Sequence, residues 1–230
     1  RVAKSANTKR PTGRFFLATN MTRLDIIQQL ERRLTSCDLC PRNCRVDRNA
    51  GLGRCQTGTL PAIYQNFMHL GEERLIVPAL VINMCGCNLA CPACPERHRW
   101  GARLHVPSPD EYAEALARFL KKSPNIASIE WIFLNSNMYF ARDLVPMMLG
   151  REARSVDAFV FDLKAMPGCD AALTGTGDYF DVVSQNILSA VELAPRAPHI
   201  LRHLVMPGHL DCCTRPIVEW CSRHIPSVTF

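Results

Sequence analysis

The stretch Cys87-Asn88-Leu89-Ala90-Cys91-Pro92-Ala93-Cys94 sets three thiols at the spacing C-x3-C-x2-C in one short loop. Three sulfurs so close can turn toward one point and hold a soft metal centre. Four thiolates close such a centre, whereas three leave one iron with an open position where chemistry can take place. Two plainer readings compete. The three cysteines could belong to a zinc knuckle, with His98 near enough to be the fourth ligand, or they could be buried free thiols.

A second set precedes them: Cys37-Asp38-Leu39-Cys40-Pro41-Arg42-Asn43-Cys44, followed by Cys55 after Gly51-Leu52-Gly53. Four cysteines can saturate a metal, and the glycines permit the turn that returns Cys55 to the other three. Zinc and a 4Fe–4S cluster both fit this set, and spacing does not separate them. Seven of the twelve cysteines lie in these two groups, which reads as metal binding in a reducing cytoplasm rather than a secreted disulfide scaffold. Cys169, Cys212, Cys213 and Cys221 are read as structural thiols. A neighbouring pair such as Cys212-Cys213 is not expected to aim both sulfurs at one metal from a helix.

The elements that must position these residues follow from periodicity. Residues 22–35 place Leu24, Ile27, Leu30 and Leu34 at helical spacing, with Asp25 in the first turn. Ala62–Tyr64 and Arg74–Val77 could add edge strands. Ala79 to Met84 has the length and β-branched content of a buried strand and runs into the cysteine loop. Ser108-Pro109-Asp110-Glu111 starts a helix with a buried stripe of Tyr112, Leu116, Phe119 and Leu120. A strand from Ile129 to Leu134 ends in Asn135-Ser136-Asn137, which are read first as turn residues. A short helix covers Leu144 to Leu149. A strand at Ala158–Phe161 ends in Asp162-Leu163-Lys164, and a helix spans Tyr179–Leu193. A strand from His199 to Met206 ends in Pro207-Gly208-His209, a helix runs from Thr214 to His224, and Val228-Thr229-Phe230 starts a further strand. Alternating strands and helices predict a parallel sheet with right-handed crossovers and ligands at the carboxyl ends of the strands.

Composition narrows the function classes. With 47% hydrophobic and 21% charged residues the chain is an ordinary globular one, and no run reaches the roughly 18 apolar residues of a membrane helix. The net charge of +6 resides in the first 24 residues, which carry six basic residues and no acid; removing those six from 27 leaves 21 basic against 21 acidic residues. A neutral body argues against nucleic acid as the partner. Residues 1–21 are read as a basic, disordered leader, with polyanion binding or organelle targeting as alternatives and Met21 as the start of the body. Residues 22–78 form a helix plus cysteine-rich metal-binding segment, and 79–230 an α/β body.

The order of strand ends resembles the pyruvate formate-lyase activating enzyme-like branch of the radical S-adenosylmethionine (radical SAM) superfamily. It is most similar to the subgroup with an extra Cys-x2-Cys-Pro-Arg segment. The matching pieces are Cys37–Cys44, Gly53-Arg54-Cys55, His69-Leu70-Gly71-Glu72-Glu73, Gly86–Cys91, Asp162-Leu163-Lys164, Asp178-Tyr179-Phe180 and Arg202-His203-Leu204-Val205-Met206-Pro207-Gly208-His209. The resemblance implies a partial (β/α) barrel of the radical SAM type with a small N-terminal cysteine-rich segment. Cys87, Cys91 and Cys94 would hold a 4Fe–4S cluster whose fourth iron is chelated by SAM. Asn135, Ser136, Asp162, Lys164 and Arg202 would lie around that SAM. Cys37, Cys40, Cys44 and Cys55 would hold a second cluster or zinc. Such enzymes take electrons from a ferredoxin or flavodoxin and act on a small molecule or on a glycine backbone of a partner enzyme.

The sequence departs from the pattern in three places. Ala93 replaces the usual aromatic residue before the last cysteine. No Gly-Gly-Glu type motif, which receives the SAM amine, lies between Arg118 and Asn135. Between Trp100 and Asp162 there is room for a single strand, so one βα unit is expected to be missing, and Phe230 falls inside the expected last strand. The alternative is an iron–sulfur or zinc protein for electron transfer, or a degenerate member without SAM cleavage, with Cys85 or His98 completing the ligand set.

Overall fold

The computed structural model describes residues 21–71, 76–96, 106–121, 132–149 and 156–230. His98, Trp100, Arg74, Leu75, residues 129–131 of the expected Ile129–Leu134 strand and the leader up to residue 20 lie outside the described residues.

Helix α1 (Arg23–Leu34) begins at Thr22, whose hydroxyl accepts from the Asp25 N–H while the Asp25 carboxylate accepts from the Thr22 N–H. This reciprocal pair satisfies two of the donors that every helix start leaves open. Strand β1 (Ile63–His69) pairs antiparallel with β2 (Ala79–Met84). That pairing corrects the expectation that Ala79–Met84 is a buried strand of the parallel sheet: β2 is half-buried and, among the described residues, pairs with β1 alone. An apolar run does not reveal its neighbour. Only nine residues separate the two strands, too few for the crossover that a parallel pair needs. Ile76 lies in a turn and Val77 in an irregular stretch rather than in the expected edge strand.

Helix α2 (Pro109–Lys121) follows with Ser108 capping the Glu111 N–H. Strands β3 (Phe133–Ser136), β4 (Ala158–Asp162) and β5 (Ile200–Arg202) form a parallel sheet in that order, and Thr229 adds a parallel bridge to Ile200. The central strand is buried on both faces: Ala158, Phe159, Val160 and Phe161 are all at or below 2% exposed. Helices α3 (Leu144–Leu149), α4 (Asp170–Thr174), α5 (Tyr179–Leu193) and α6 (Arg215–His224), with a π turn at Leu210–Thr214, complete the described elements. Val145, Tyr179, Val183, Ile187, Ile217 and Cys221 pack with Phe159 and Phe161 into one core. The chain is thus a mixed α/β protein with two small sheets. The described residues do not close a barrel, and the expected single parallel sheet is two sheets instead. No helix among the described residues is long and apolar enough to cross a membrane.

His199, just ahead of β5, is 3% exposed and joins the strand to its surroundings. Its Nδ1 accepts from the Phe159 N–H at 3.1 Å and its Nε2 donates to Ala194 O at 3.1 Å. Burial holds its pKa below the ordinary value, although the Ala194 bond pulls the other way. The ring is therefore neutral when folded, while the unfolded chain takes up a proton near pH 6.5. Its contribution to stability is complete above that pH and is lost as the pH falls through the lower, folded value. Denaturation midpoints compared between about pH 7.5 and about 5.5 should fall more steeply for the wild type than for His199→Gln, which keeps an acceptor and a donor but does not titrate.

Candidate metal centres

The cysteine loop leaves β2 through Gly86 and is fastened on three sides. The Cys87 N–H donates to Cys55 O at 3.0 Å, and the Ala90 N–H to Thr174 O at 2.8 Å. Leu89, 2% exposed, plugs the core, and the Asn88 amide donates to Tyr139 O. Arg42, from the Cys-Pro-Arg segment, donates to Asn88 O and Gly175 O, each at 2.9 Å, and lies 5.7 Å over the Tyr139 ring. These bonds hold the loop beside the sheet.

Burial pushes the Cys87 and Cys91 thiols up, and the Lys164 ammonium pulls both back down. The Asn137 amide donates to Cys87 Sγ at 3.4 Å, as does the Leu89 N–H. The Cys87 and Cys91 sulfurs are close enough to each other and to Cys94 to interact electrostatically.

Beside the loop, the carboxyl ends of the parallel strands carry a connected polar set. Asp162 accepts from Lys164 Nζ at 3.0 Å and from Arg202 Nε and Nη2 at 3.1 and 3.0 Å. Arg202 Nη2 also donates to Asn135 Oδ1 at 2.6 Å. The register explains the meeting, because Asp162 is the parallel partner of Arg202 and Asn135 pairs with Val160. Tyr179, wholly buried, donates to Asp162 O and accepts the Lys164 N–H, which fixes the backbone of Asp162-Leu163-Lys164. The turn expected at Asn135-Ser136-Asn137 starts later: Asn135 and Ser136 end β3. Ser136 Oγ accepts from the Met138 N–H and Asn137 Oδ1 from the Tyr139 N–H, so these two side chains build the turn.

In the N-terminal set the Cys37 N–H bonds Val46 O and the Arg45 N–H bonds Cys37 O. The N–H of Arg54 is the main cause that holds the Cys44 thiol below its ordinary range, with Val46 and Cys37 adding to it. Arg48, 9% exposed, reaches between the cysteines: its Nη2 lies 3.3 Å from Cys37 Sγ and 3.1 Å from Cys55 Sγ. Its Nε is buried without a hydrogen-bond partner among the described residues. A guanidinium in this place supplies positive charge to anionic sulfur. Cys40, Cys55, Cys87 and Asn135–Asn137 line one cleft of about 350 Å³, so both cysteine sets border a common space.

A third group was not expected. Cys169, His209, Cys212 and Cys213 bring one ligand atom each within 4.8 Å of all the others, and this Cys/His group could hold a metal ion. It brings the adjacent sulfurs of Cys212 and Cys213 to one point, which was not expected of such a pair. His209 stands three and four residues before the two cysteines and so shares their face. A π turn, Leu210–Thr214, carries them. Hydrogen bonding to Cys212, then burial, then Cys213 push the Cys169 thiol up to about 12. The sequence signal was His-x2-Cys-Cys, a ligand triplet at one-face spacing.

No protein-family model matches the chain, and no solved structure matches it. The chain is similar to the uncharacterized protein MJ0674 of Methanocaldococcus jannaschii, with 28% identity over 237 aligned residues that cover 88% of this chain. The chain spans 66% of that relative's length, slightly less than two thirds.

Proposed function

We propose that this chain is a radical SAM iron–sulfur protein in which Cys87, Cys91 and Cys94 hold a 4Fe–4S cluster with one open iron. The observation that carries the reading is the meeting of the C-x3-C-x2-C loop with the strand-end charges. Lys164 acts on the Cys87 and Cys91 sulfurs and is tied through Asp162 to Arg202. SAM carries both a carboxylate and an amine, so it needs charges of both signs beside the cluster. Lys164 and Arg202 offer the cations, Asp162 the anion, and Asn135 an amide.

A 4Fe–4S cluster held by Cys87, Cys91 and Cys94 would supply the electron for reductive cleavage of SAM, and with it the means to abstract hydrogen from a substrate. The chain's own residues bind and orient. Asp162 keeps the two cations apart and aimed, Asn137 holds the Cys87 sulfur, and Tyr179 fixes the strand end. The N-terminal cysteines border the same cleft: holding an iron–sulfur cluster they would pass electrons inward from a ferredoxin or flavodoxin, and holding zinc, which has no redox chemistry, they would be structural. The substrate is a small molecule or a partner protein.

A second reading, an iron–sulfur or zinc protein for electron transfer without SAM cleavage, is favoured by the contact between the two cysteine sets at Cys55 and Cys87. One experiment separates the two. The protein is reconstituted anaerobically with iron and sulfide, reduced with dithionite and given SAM. SAM-dependent 5′-deoxyadenosine, with a change in the cluster's EPR signal on SAM addition, supports the first reading. A reducible cluster with neither response supports the second.

A further inference from the structure

The group at Cys169, His209, Cys212 and Cys213 shares no residue with the site above, and its four ligand atoms all lie within 4.8 Å of one another. Cys169 lies five residues beyond Lys164 and His209 seven beyond Arg202, so the group joins the loops that leave β4 and β5. The π turn does the presenting. His209 O accepts both the Cys213 N–H at 3.0 Å and the Thr214 N–H at 3.2 Å, and the Arg215 N–H reaches back to Leu210 O. His209 Nδ1 then faces Cys212 Sγ at 3.3 Å, with Cys213 turned inward and 1% exposed. Cys169 closes the set from the loop after β4, just ahead of α4.

We propose that these four residues form a structural zinc site of the three-thiolate, one-imidazole type, which clamps the loop after β4 to the π turn after β5. Four ligand atoms within 4.8 Å of one another match a single tetrahedral ion. Three soft sulfurs and an imidazole select zinc over magnesium or calcium. With all four positions taken by protein, the ion has no open place for substrate, which makes its role structural. A parallel tie supports the same junction: His203 donates from Nδ1 to Leu163 O at 2.8 Å and accepts at Nε2 from the Thr214 hydroxyl at 2.9 Å. Zinc here therefore holds Asp162, Lys164 and Arg202 in register from outside their own site. The proposal does not depend on SAM chemistry.

The test is metal content of the full chain, purified anaerobically from zinc-replete cells. Cys212, being exposed, can be changed without disturbing the core, so Cys212→Ser is the primary variant and Cys169→Ser the second. Each is expected to lose about one zinc per chain relative to the wild type while its iron content is unchanged. Cys55→Ser and Cys94→Ser, from the other two sets, should keep that zinc. Cobalt loaded into metal-free protein should give a thiolate-to-cobalt absorption that falls by one site's contribution in Cys212→Ser and Cys169→Ser and persists in full in Cys221→Ser. Zinc and cobalt signals equal to wild type in both primary variants would overturn the site, as would a native Cys169–Cys212 disulfide.

Discussion

Anaerobically reconstituted Cys91→Ala protein is expected to release no 5′-deoxyadenosine above background, a fall of more than about a hundredfold. A residue that merely supports a metal ligand already costs about 10- to 100-fold when removed, and Cys91 is read as a ligand itself. Its sulfur lies with that of Cys87 in the field of Lys164. Removing it leaves two thiolates, too few to hold a cluster and keep one iron open. The fold should survive, because the loop is anchored by Leu89, Asn88 and the Ala90 N–H rather than by the Cys91 side chain. Product quantified by chromatography, with far-ultraviolet circular dichroism as the folding control, gives the answer. Undiminished 5′-deoxyadenosine in Cys91→Ala would remove these three cysteines from the chemistry altogether.

Gly86→Ala is expected to destabilise the protein by at least about 2 kcal/mol and to lower the iron retained after reconstitution. Gly86 has φ +88°, and a Cβ there would sit 2.4 Å from Cys55 O and 2.5 Å from Thr57 Cγ2. The neighbouring bond from the Cys87 N–H to Cys55 O holds the two cysteine sets together, so a methyl group must push them apart. Gly168→Ala provides the control. Gly168 has φ +90° with nothing within 4 Å of the added carbon, and it bears the backbone cost alone, about 1–2 kcal/mol. Urea midpoints of the two variants separate the contact from the conformation. Equal losses would mean that the two cysteine sets do not approach each other as described.

Local signals carried most of the secondary structure. The helix spacing at Leu144–Leu149 and Tyr179–Leu193 matches α3 and α5 residue for residue, and Thr22 with Asp25 marked the start of α1. The polar strand ends were legible too, since Asp162, Lys164 and Arg202 each follow an apolar run, and a parallel register brings such ends to one edge. What the apolar run at Ala79–Met84 could not reveal was its partner. Its six residues fit a parallel core strand and an antiparallel hairpin equally well. The short connection to β1 decided the matter.

By itself, then, the sequence determined which residues can bind metal and which segments are helix or strand, because ligand type and periodicity are properties of the chain taken locally. Only the tertiary structure decided which of those residues meet. Arg48 enters between Cys37 and Cys55 because of a fold in the cysteine-rich segment that spacing does not encode. Cys169 reaches His209, Cys212 and Cys213 across 40 residues because β4 and β5 are parallel neighbours whose loops leave the same edge, and because a π turn sets three ligands on one face. Such a meeting depends on strand order and backbone path, which are settled by packing of the whole core rather than by any local stretch.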